Sequence, residues 1–405
     1  MVFNYLDRQM IAVLKPTLQH EYRWREAAYA GVVIWFQAAY AVSYLVSGRI
    51  IDRVGARAGY AGAFLVWSVG HMLHGVVSGL GGFIAARVVL GAGESASFPA
   101  GLKAVAEWFP RQERALATGL FNAGANVGAV LTPLIVPPLA LAFGWRWAFI
   151  VTGVASLAWL AAWLLFYRRP EADPKVSPAE LAWIRSDGPE PAGRMGWLQV
   201  LRQRETWAYA LARFLIDPVW WVFLFWLPDF LGRRFGLDLK TFGPPLVAIY
   251  LMSDVGSVAG GWMSSALIAR GVSVNLSRKA TLLACALAVT PVVFAAHASS
   301  LWLAVALLGL ATAGHQAFSA NLYALPADVF PRSAVGSVVG VGGMAGALGG
   351  MLMSTYTGWV LDRVGGYGPV FAVAAGAYLA ALAVIQLLAP RYAAVRSGDT
   401  LAPAV

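Results

Sequence analysis

A single cysteine, Cys285, in 405 residues rules out an internal disulfide and a cysteine-rich metal centre. Charge is nearly as scarce. Asp, Glu, Lys and Arg supply 12% of the chain, about half the share that a soluble globular domain carries. So little polar surface cannot cover a chain of this length in water. Acidic residues are the rarer sign, 20 against 30 basic, yet the net charge of +10 is no nucleic-acid footprint. The Lys and Arg residues sit in short breaks between apolar blocks, where they orient a membrane protein. No nucleophile–base arrangement, phosphate-cradling loop or metal-ligand spacing stands out, so the chain reads as a non-enzyme with no metal and no cofactor. The first residues also lack a basic stretch, an apolar run and a small-residue cleavage site in sequence, so no cleavable signal peptide is expected.

What fills the chain instead is apolar. Hydrophobic residues reach 59% and the mean hydropathy is +0.65. They fall in blocks of about 20 residues, the length of helix that crosses ~30 Å of hydrocarbon. Reading these blocks between charged or Gly/Pro-rich breaks gives spans near 2–19, 27–51, 58–78, 80–103, 114–138, 145–167, 207–230, 243–268, 279–297, 299–325, 333–360 and 367–389. A stretch rich in Pro, Glu, Asp, Lys and Arg, from Arg168 to Arg204, separates the sixth span from the seventh. The expected fold is an all-α membrane protein of twelve transmembrane helices in two bundles of six. Residues 1–167 form the first bundle, 168–206 a cytoplasmic linker, and 207–405 the second bundle with a short tail. The first helix reads as truncated, because only Met1, Val2 and Phe3 precede the polar string Asn4-Tyr5-Leu6-Asp7-Arg8-Gln9. A native start further upstream is expected, a trimmed chain being the alternative. Breaks after even-numbered spans hold Arg53, Arg57, Arg111, Arg114, Arg270, Arg278 and Arg332, while those after odd-numbered spans are poorer in Lys and Arg. The linker and both termini are therefore expected in the cytoplasm.

An ionisable group inside a span costs at least ~2.5–3.5 kcal/mol, so those present mark pathways or paired sites. The first half has Asp7, Arg8, Arg87 and Glu94 at mid-span. Arg87 and Glu94 are two helical turns apart and share a face. The small residues of Gly91-Ala92-Gly93-Glu94-Ser95-Ala96-Ser97 allow close helix contact. A carboxylate there can alternate between protonated and ionised forms; the alternative is a static ion pair joining spans one and four. Arg8 and Arg87, whose charge cannot be switched off, read equally as anion binders or static partners. Tyr40, Tyr44, Asn122 and Asn126 are candidates to line a cavity, the two asparagines one turn apart on one face, with a helix-bridging role as the alternative. His71 and His74 have no third ligand nearby and read as structural. The second half offers Asp217 beside Pro218, Asp254, and His315-Gln316 near Ser319 and Asn321. Pro218 frees a carbonyl within its helix. Amide, hydroxyl and imidazole groups on one span suit a hydroxyl-rich ligand, and Trp220 or Trp221 suits stacking on a sugar ring. Lipid-facing tryptophans and a His315 satisfied by an interhelical hydrogen bond remain open alternatives. The run Gly340-Val341-Gly342-Gly343-Met344-Ala345-Gly346 lies in an apolar span with no preceding strand, so it reads as a helix-packing face and not a nucleotide loop.

Between spans two and three stands Gly48-Arg49-Ile50-Ile51-Asp52-Arg53-Val54-Gly55-Ala56-Arg57. It resembles the signature loop of the major facilitator superfamily. The resemblance implies a gating role for Asp52 and Arg53, with Arg57, in cytoplasmic charge contacts that favour the outward-open state. The matching segment from Gly261 to Arg270 has Ser265 where an acidic residue is expected. NYLDRQ from Asn4, RVVLGAGESASFPAG from Arg87 and FNAGANVGAVLTPL from Phe121 resemble the anion:cation symporter family within it. FLIDPVWWVFLFWLPDFL, IYLMSDVGSVAGGW, HQAFSANLYALPADVFP and GSVVGVGGMAGALGGML are similar to its bacterial hexuronate transporters, which carry glucuronate and galacturonate with protons. By that resemblance Asp7 and Glu94 couple protons, and Arg8 and Tyr40 contact substrate. An eleventh-span asparagine of sugar-acid relatives has no counterpart in Gly340–Gly350. The full set of expected substrate contacts is Arg8, Tyr40, Tyr44, Arg87, Asn122, Asn126, Asp217, Trp221, His315, Gln316, Ser319 and Asn321. The expectation is a monomeric, multi-pass protein of the bacterial inner membrane that imports a sugar acid on the proton gradient, without nucleic-acid partners. An aldonate or dicarboxylate cargo, or a transporter-like sensor, are the alternatives.

Overall fold

Where no water is available, a helix satisfies every backbone N–H and C=O within its own segment. Every regular element among the described residues is helical. The computed structural model describes residues 1–186, 197–330 and 332–391. Within its helices, the side chains at 45, 49, 52, 111–116, 118–120, 122, 123, 126, 327, 332 and 333 lie outside the described residues. The chain divides into two units: Met1–Arg23 with Gly31–Ala192, and Trp24–Ala30 with Gly193–Val405.

The first unit contains α1 (Val2–Val13), α2 (Lys15–Tyr22), most of α3 (Glu26–Val54), α4 (Ala56–Leu73), α5 (Gly79–Glu94), α6 (Ser97–Trp108), α7 (Arg111–Phe143), α8 (Trp145–Phe166) and the short α9 (Pro178–Ile184). Leu14, itself in helical backbone, joins α1 to α2 as a nearly continuous rod of ~30 Å. The C-terminal end of that rod is tied to α8: Trp145 Nε1 donates to Glu21 Oε2 at 2.5 Å and Arg146 pairs with Glu21 Oε1 at 3.0 Å. Helices α4 and α5 touch backbone to backbone. A Cβ at Gly70 would lie 2.6 Å from the Leu90 nitrogen, and one at Gly93 2.5 Å from that of Trp67. Helix α1 packs on α7 and α8 and exchanges side-chain contacts with α4 and α5, so it is enclosed on several sides. The segment after α8 is anchored, since Trp108 Nε1 donates to Arg168 O at 3.0 Å. Beyond it, Arg185 pairs with Glu171 and holds that carboxyl below the usual carboxylate range.

The second unit contains α10 (Trp197–Arg202), α11 (Arg204–Phe235), α12 (Gly243–Ala269), α13 (Val274–Val289), α14 (Leu301–Val329), α15 (Arg332–Arg363) and α16 (Gly368–Leu388). A 3-10 turn over Thr290–His297 prolongs α13. The start of α3 belongs here for a definite reason. Asp362 accepts hydrogen bonds from the backbone N–H groups of Glu26 and Ala27, at 3.1 and 3.0 Å, capping the helix. Arg233 pairs with both Glu26 and Asp229, Tyr367 donates to Asp229 at 2.5 Å, and Tyr29 donates to Phe225 O at 2.8 Å.

Among the described residues, seven helices are long and apolar enough to cross a membrane, by length and composition: Trp145–Phe166, Arg204–Phe235, Gly243–Ala269, Val274–His297, Leu301–Pro326, Ala334–Arg363 and Gly368–Leu388. Only one lies in the first unit. There parts of α3 and α7 lie outside the described residues, the breaks at Leu14 and Ser95 split two segments into shorter helices, and α1 carries polar residues along its buried length.

Candidate functional site

In the first unit the enclosure of α1 forces its polar face into the interior. Asn4, Asp7, Arg8 and Gln9 are all buried. Arg8 Nε and Nη2 both donate to Glu94 Oε2, at 3.0 and 2.8 Å, and Nη2 also donates to Asn4 Oδ1 at 3.1 Å, one turn back on its own helix. Arg87 Nη2 reaches Arg8 O at 3.5 Å. The Arg8 guanidinium lies 5.0 Å from the Tyr5 ring, 5.4 Å from Phe36 and 5.2 Å from Tyr40, an aromatic cage suited to a cation. Tyr40 stacks on Tyr44 at 5.7 Å. Asp7 lies 3.3 Å from His71 Nε2. Folding thus gathers Asp7, Arg8, Arg87 and Glu94 with Tyr40 in one unit. Exposure is 0% for Asp7, Arg87 and Glu94 and 5% for Arg8. Two guanidinium groups face two carboxyl groups, so the set balances with both carboxyls ionised. A buried pair contributes little net stability, because desolvation offsets the Coulomb attraction. Its presence calls for another reason.

The remaining first-half candidates fall elsewhere. Arg53 is exposed, and Arg57 Nη2 donates to Leu164 O at 2.5 Å, clasping α4 to the end of α8. The side chains of Asp52, Asn122 and Asn126 lie outside the described residues. A groove of about 490 Å³ between α3, α4 and α5, lined by residues such as Val46, Ile50, Gly62 and Val66, holds none of the buried charges.

In the second unit Asp217 is paired with Arg213, a residue the sequence reading missed. Arg213 Nη2 and Nε approach Asp217 Oδ2 at 2.5 and 2.7 Å, Nη1 reaches Tyr209 Oη at 3.1 Å, and the guanidinium lies 4.7 Å from the Tyr323 ring. The signal was present: a basic residue inside the seventh span, one helical turn before an acid, shares its face. Trp220 and Trp221 are 9% and 8% exposed, which removes the lipid-facing alternative. Trp220 stacks on His315, rings 4.9 Å apart and 3° from parallel, and Trp221 stacks on Phe225. His315 bridges helices, with Nδ1 2.6 Å from Tyr378 Oη of α16 and Nε2 3.3 Å from Ser319 Oγ. Gln316 is half-buried on the same helix.

Asn321 requires a correction. Its two amide N–H groups are taken by Gly260 O and Ala317 O, each at 2.9 Å, and its oxygen accepts from Arg278 at 3.2 Å. An amide so filled braces helices and is withdrawn from the substrate contacts. Arg278 also pairs with Asp328 at 3.0 Å and donates to Ser264 at 2.8 Å. Arg278 thus links the Asp328 carboxylate at the end of α14 to Ser264, next to Ser265.

The glycine run of α15 packs on α11, with Gly342 against the Tyr209 ring and Gly346 against the Asp217 carboxylate. There is no room for a Cβ at Gly346. Gly346→Ala is expected to displace Asp217 from Arg213 and lower stability by about 1–3 kcal/mol, the range for overpacking. A reduced melting temperature in detergent checks this; an unchanged one means that α15 yields.

These features define a helical, multi-pass membrane protein with balanced charges buried in its first unit. The Major Facilitator Superfamily matches residues 1–274 of the chain. The hexuronate transporter of Escherichia coli (strain K12) is 35% identical, covering 92% of this chain and 88% of its own length. The galacturonate transporter of Dickeya chrysanthemi is 36% identical, covering 69% and 82%. Among solved structures, a D-xylose-proton symporter superposes with a TM-score of 0.74 at 14% identity, covering 99% of this chain and 97% of that one. At that identity the likeness concerns the fold. The chain belongs to the Major Facilitator Superfamily, and is a membrane transporter rather than an enzyme.

Proposed function

We propose that the chain is a proton-coupled symporter that imports a hexuronate, glucuronate or galacturonate, across the bacterial inner membrane. It works by alternating access, with twelve transmembrane helices and both termini in the cytoplasm. The observation that carries this reading is the buried set of two arginines and two carboxyl groups. A substrate carboxylate arriving at Arg8 adds one negative charge to a set whose two carboxyls, when both are ionised, balance its two guanidinium groups. In a low-dielectric interior an unpaired charge is costly. One proton, taken by Asp7 or Glu94, restores the balance, so anion and proton enter together. Arg8 is suited to the anion because its planar fork matches a carboxylate with two donors. The Glu94 carboxyl, once protonated, releases that fork.

Tyr40, with Tyr44 stacked behind it, supplies a hydroxyl and an aromatic face to the sugar ring. In the second unit Asp217 with Arg213, Trp221, and His315 with Gln316 and Ser319 are the candidates for the sugar hydroxyls. Asp52, Arg53 and Arg57 act in cytoplasmic gating. The close likeness to hexuronate and galacturonate transporters supports the choice of cargo.

The test is uptake of labelled glucuronate by proteoliposomes under an imposed pH gradient, acid outside. Accumulation is expected, collapsing with a protonophore and competed by unlabelled galacturonate more strongly than by gluconate or succinate. Stronger competition by gluconate would reassign the cargo to aldonates. Accumulation indifferent to the protonophore would remove proton coupling.

A further inference from the structure

Symport by this scheme gives Asp7 a proton, and the residues of α4 and α8 indicate what receives its carboxylate once the proton has gone. His71 Nε2 lies 2.8 Å from Thr152 Oγ1 of α8 and 3.3 Å from Asp7 Oδ1 of α1. The Thr152 hydroxyl donates to Ala148 O at 2.8 Å, which leaves its oxygen as an acceptor. The imidazole proton therefore resides on Nε2. Nδ1 has no hydrogen-bond partner among the described residues, so the ring is neutral with a single N–H. That N–H points to Thr152, and neither Asp7 oxygen accepts a hydrogen bond from a described residue. With its N–H nearer Thr152 at 2.8 Å than Asp7 at 3.3 Å, the imidazole suits a protonated Asp7 better than an ionised one.

Among the groups around Asp7, His71 is the donor that has a second acceptor within reach. From α5 come Arg87 and Glu94, the latter held by Arg8 of α1 itself. From α8 comes the Ser156 hydroxyl and from α4 the Trp67 indole N–H, both facing Asp7 and neither with another partner among the described residues. His74, a turn further along α4, has its Nδ1–H engaged by Gly70 O at 2.8 Å. Helix α7 presents no titratable side chain among those described.

We propose that His71 is a positioning residue that moves one N–H between two acceptors, Thr152 while Asp7 is protonated and Asp7 Oδ1 once it is ionised. The O–H bond of Asp7 breaks, water on the open side takes the proton, and the imidazole keeps its own proton throughout. Of the two residues, Asp7 carries the travelling proton and His71 does not. This deepens the symport reading and rests on it.

Two substitutions should then shift the pH dependence of transport in opposite directions. His71→Leu removes the donor that receives ionised Asp7, so the proton is retained to higher pH. Thr152→Val removes the competing acceptor and leaves the N–H free for Asp7, so the proton is released at lower pH. A hydrogen bond to an ion alters proton affinity roughly tenfold, so each midpoint is expected to move by about one pH unit. His71→Gln, which keeps an N–H donor, should return the midpoint most of the way. The experiment is labelled glucuronate uptake by proteoliposomes from about pH 5 to pH 9, with each variant verified as monodisperse in detergent. Opposite shifts with rescue by glutamine establish the switch. Shifts in the same direction, or none, overturn it, and Thr152→Val alone decides the matter if His71→Leu does not fold. Asp7→Asn is the control for the underlying reading. It should flatten the pH profile; a profile unchanged by Asp7→Asn removes Asp7 as the proton carrier, whereas a flattened one with unmoved His71 and Thr152 variants sinks only the switch.

Discussion

Glu94→Gln protein in proteoliposomes is expected to exchange labelled glucuronate across the membrane yet fail to accumulate it against a gradient. Glutamine matches the shape of a protonated glutamate and cannot ionise. Its amide oxygen still accepts from Arg8, whose two donors now reach Glu94 Oε2 at 3.0 and 2.8 Å. The buried set then holds two guanidinium groups and one carboxyl, so a substrate anion restores neutrality without a proton. Binding and exchange survive while the link to the gradient is lost. With one proton per substrate, a gradient of one pH unit supports an accumulation of roughly tenfold, and the variant should fall to no accumulation. Accumulation at the level of the unsubstituted protein would remove Glu94 from coupling.

Arg8→Ala is expected to abolish uptake and to destabilise the protein at once. The substrate loses its two-donor partner. Glu94, 0% exposed, is left as a buried carboxyl with its main cation removed. Breaking one side of such a pair costs about 3–5 kcal/mol, because the remaining charge has no water to face. The two effects separate in the double variant. Arg8→Ala with Glu94→Gln has no stranded carboxylate, so its melting temperature in detergent should recover while uptake stays absent. Arg8→Lys should also transport poorly, since one ammonium cannot reproduce a planar fork that also rests against Tyr5, Phe36 and Tyr40. Uptake by Arg8→Ala within twofold of the unsubstituted protein would show that the anion binds elsewhere.

Several features were legible before any fold was in hand because they depend on short-range pattern. Apolar blocks of span length announce helices in a membrane, and charged residues within them are conspicuous by their cost. Asp7, Arg8, Arg87, Glu94 and Asp217 were all visible in this way. Arg213 obeys the same rule, one helical turn before Asp217. Other roles needed three dimensions. The hydrogen-bonding capacity of Asn321 is filled by a carbonyl from α12, another from its own helix and an arginine from α13. No local pattern distinguishes a saturated amide from one awaiting a ligand. The link from Ser264 through Arg278 to Asp328 likewise joins residues far apart along the chain.

The sequence by itself determined that this chain is a multi-pass helical membrane protein with ionisable groups inside its spans, since hydrophobic length and the penalty for buried charge act residue by residue. Which of those groups meet was decided only by tertiary packing. Arg8 finds Glu94 across 86 positions, and Asp7 finds His71 through the packing of both α1 and α4 on α8. Coulomb attraction and hydrogen bonding act over a few ångströms of space, and separation along the chain carries no record of that distance.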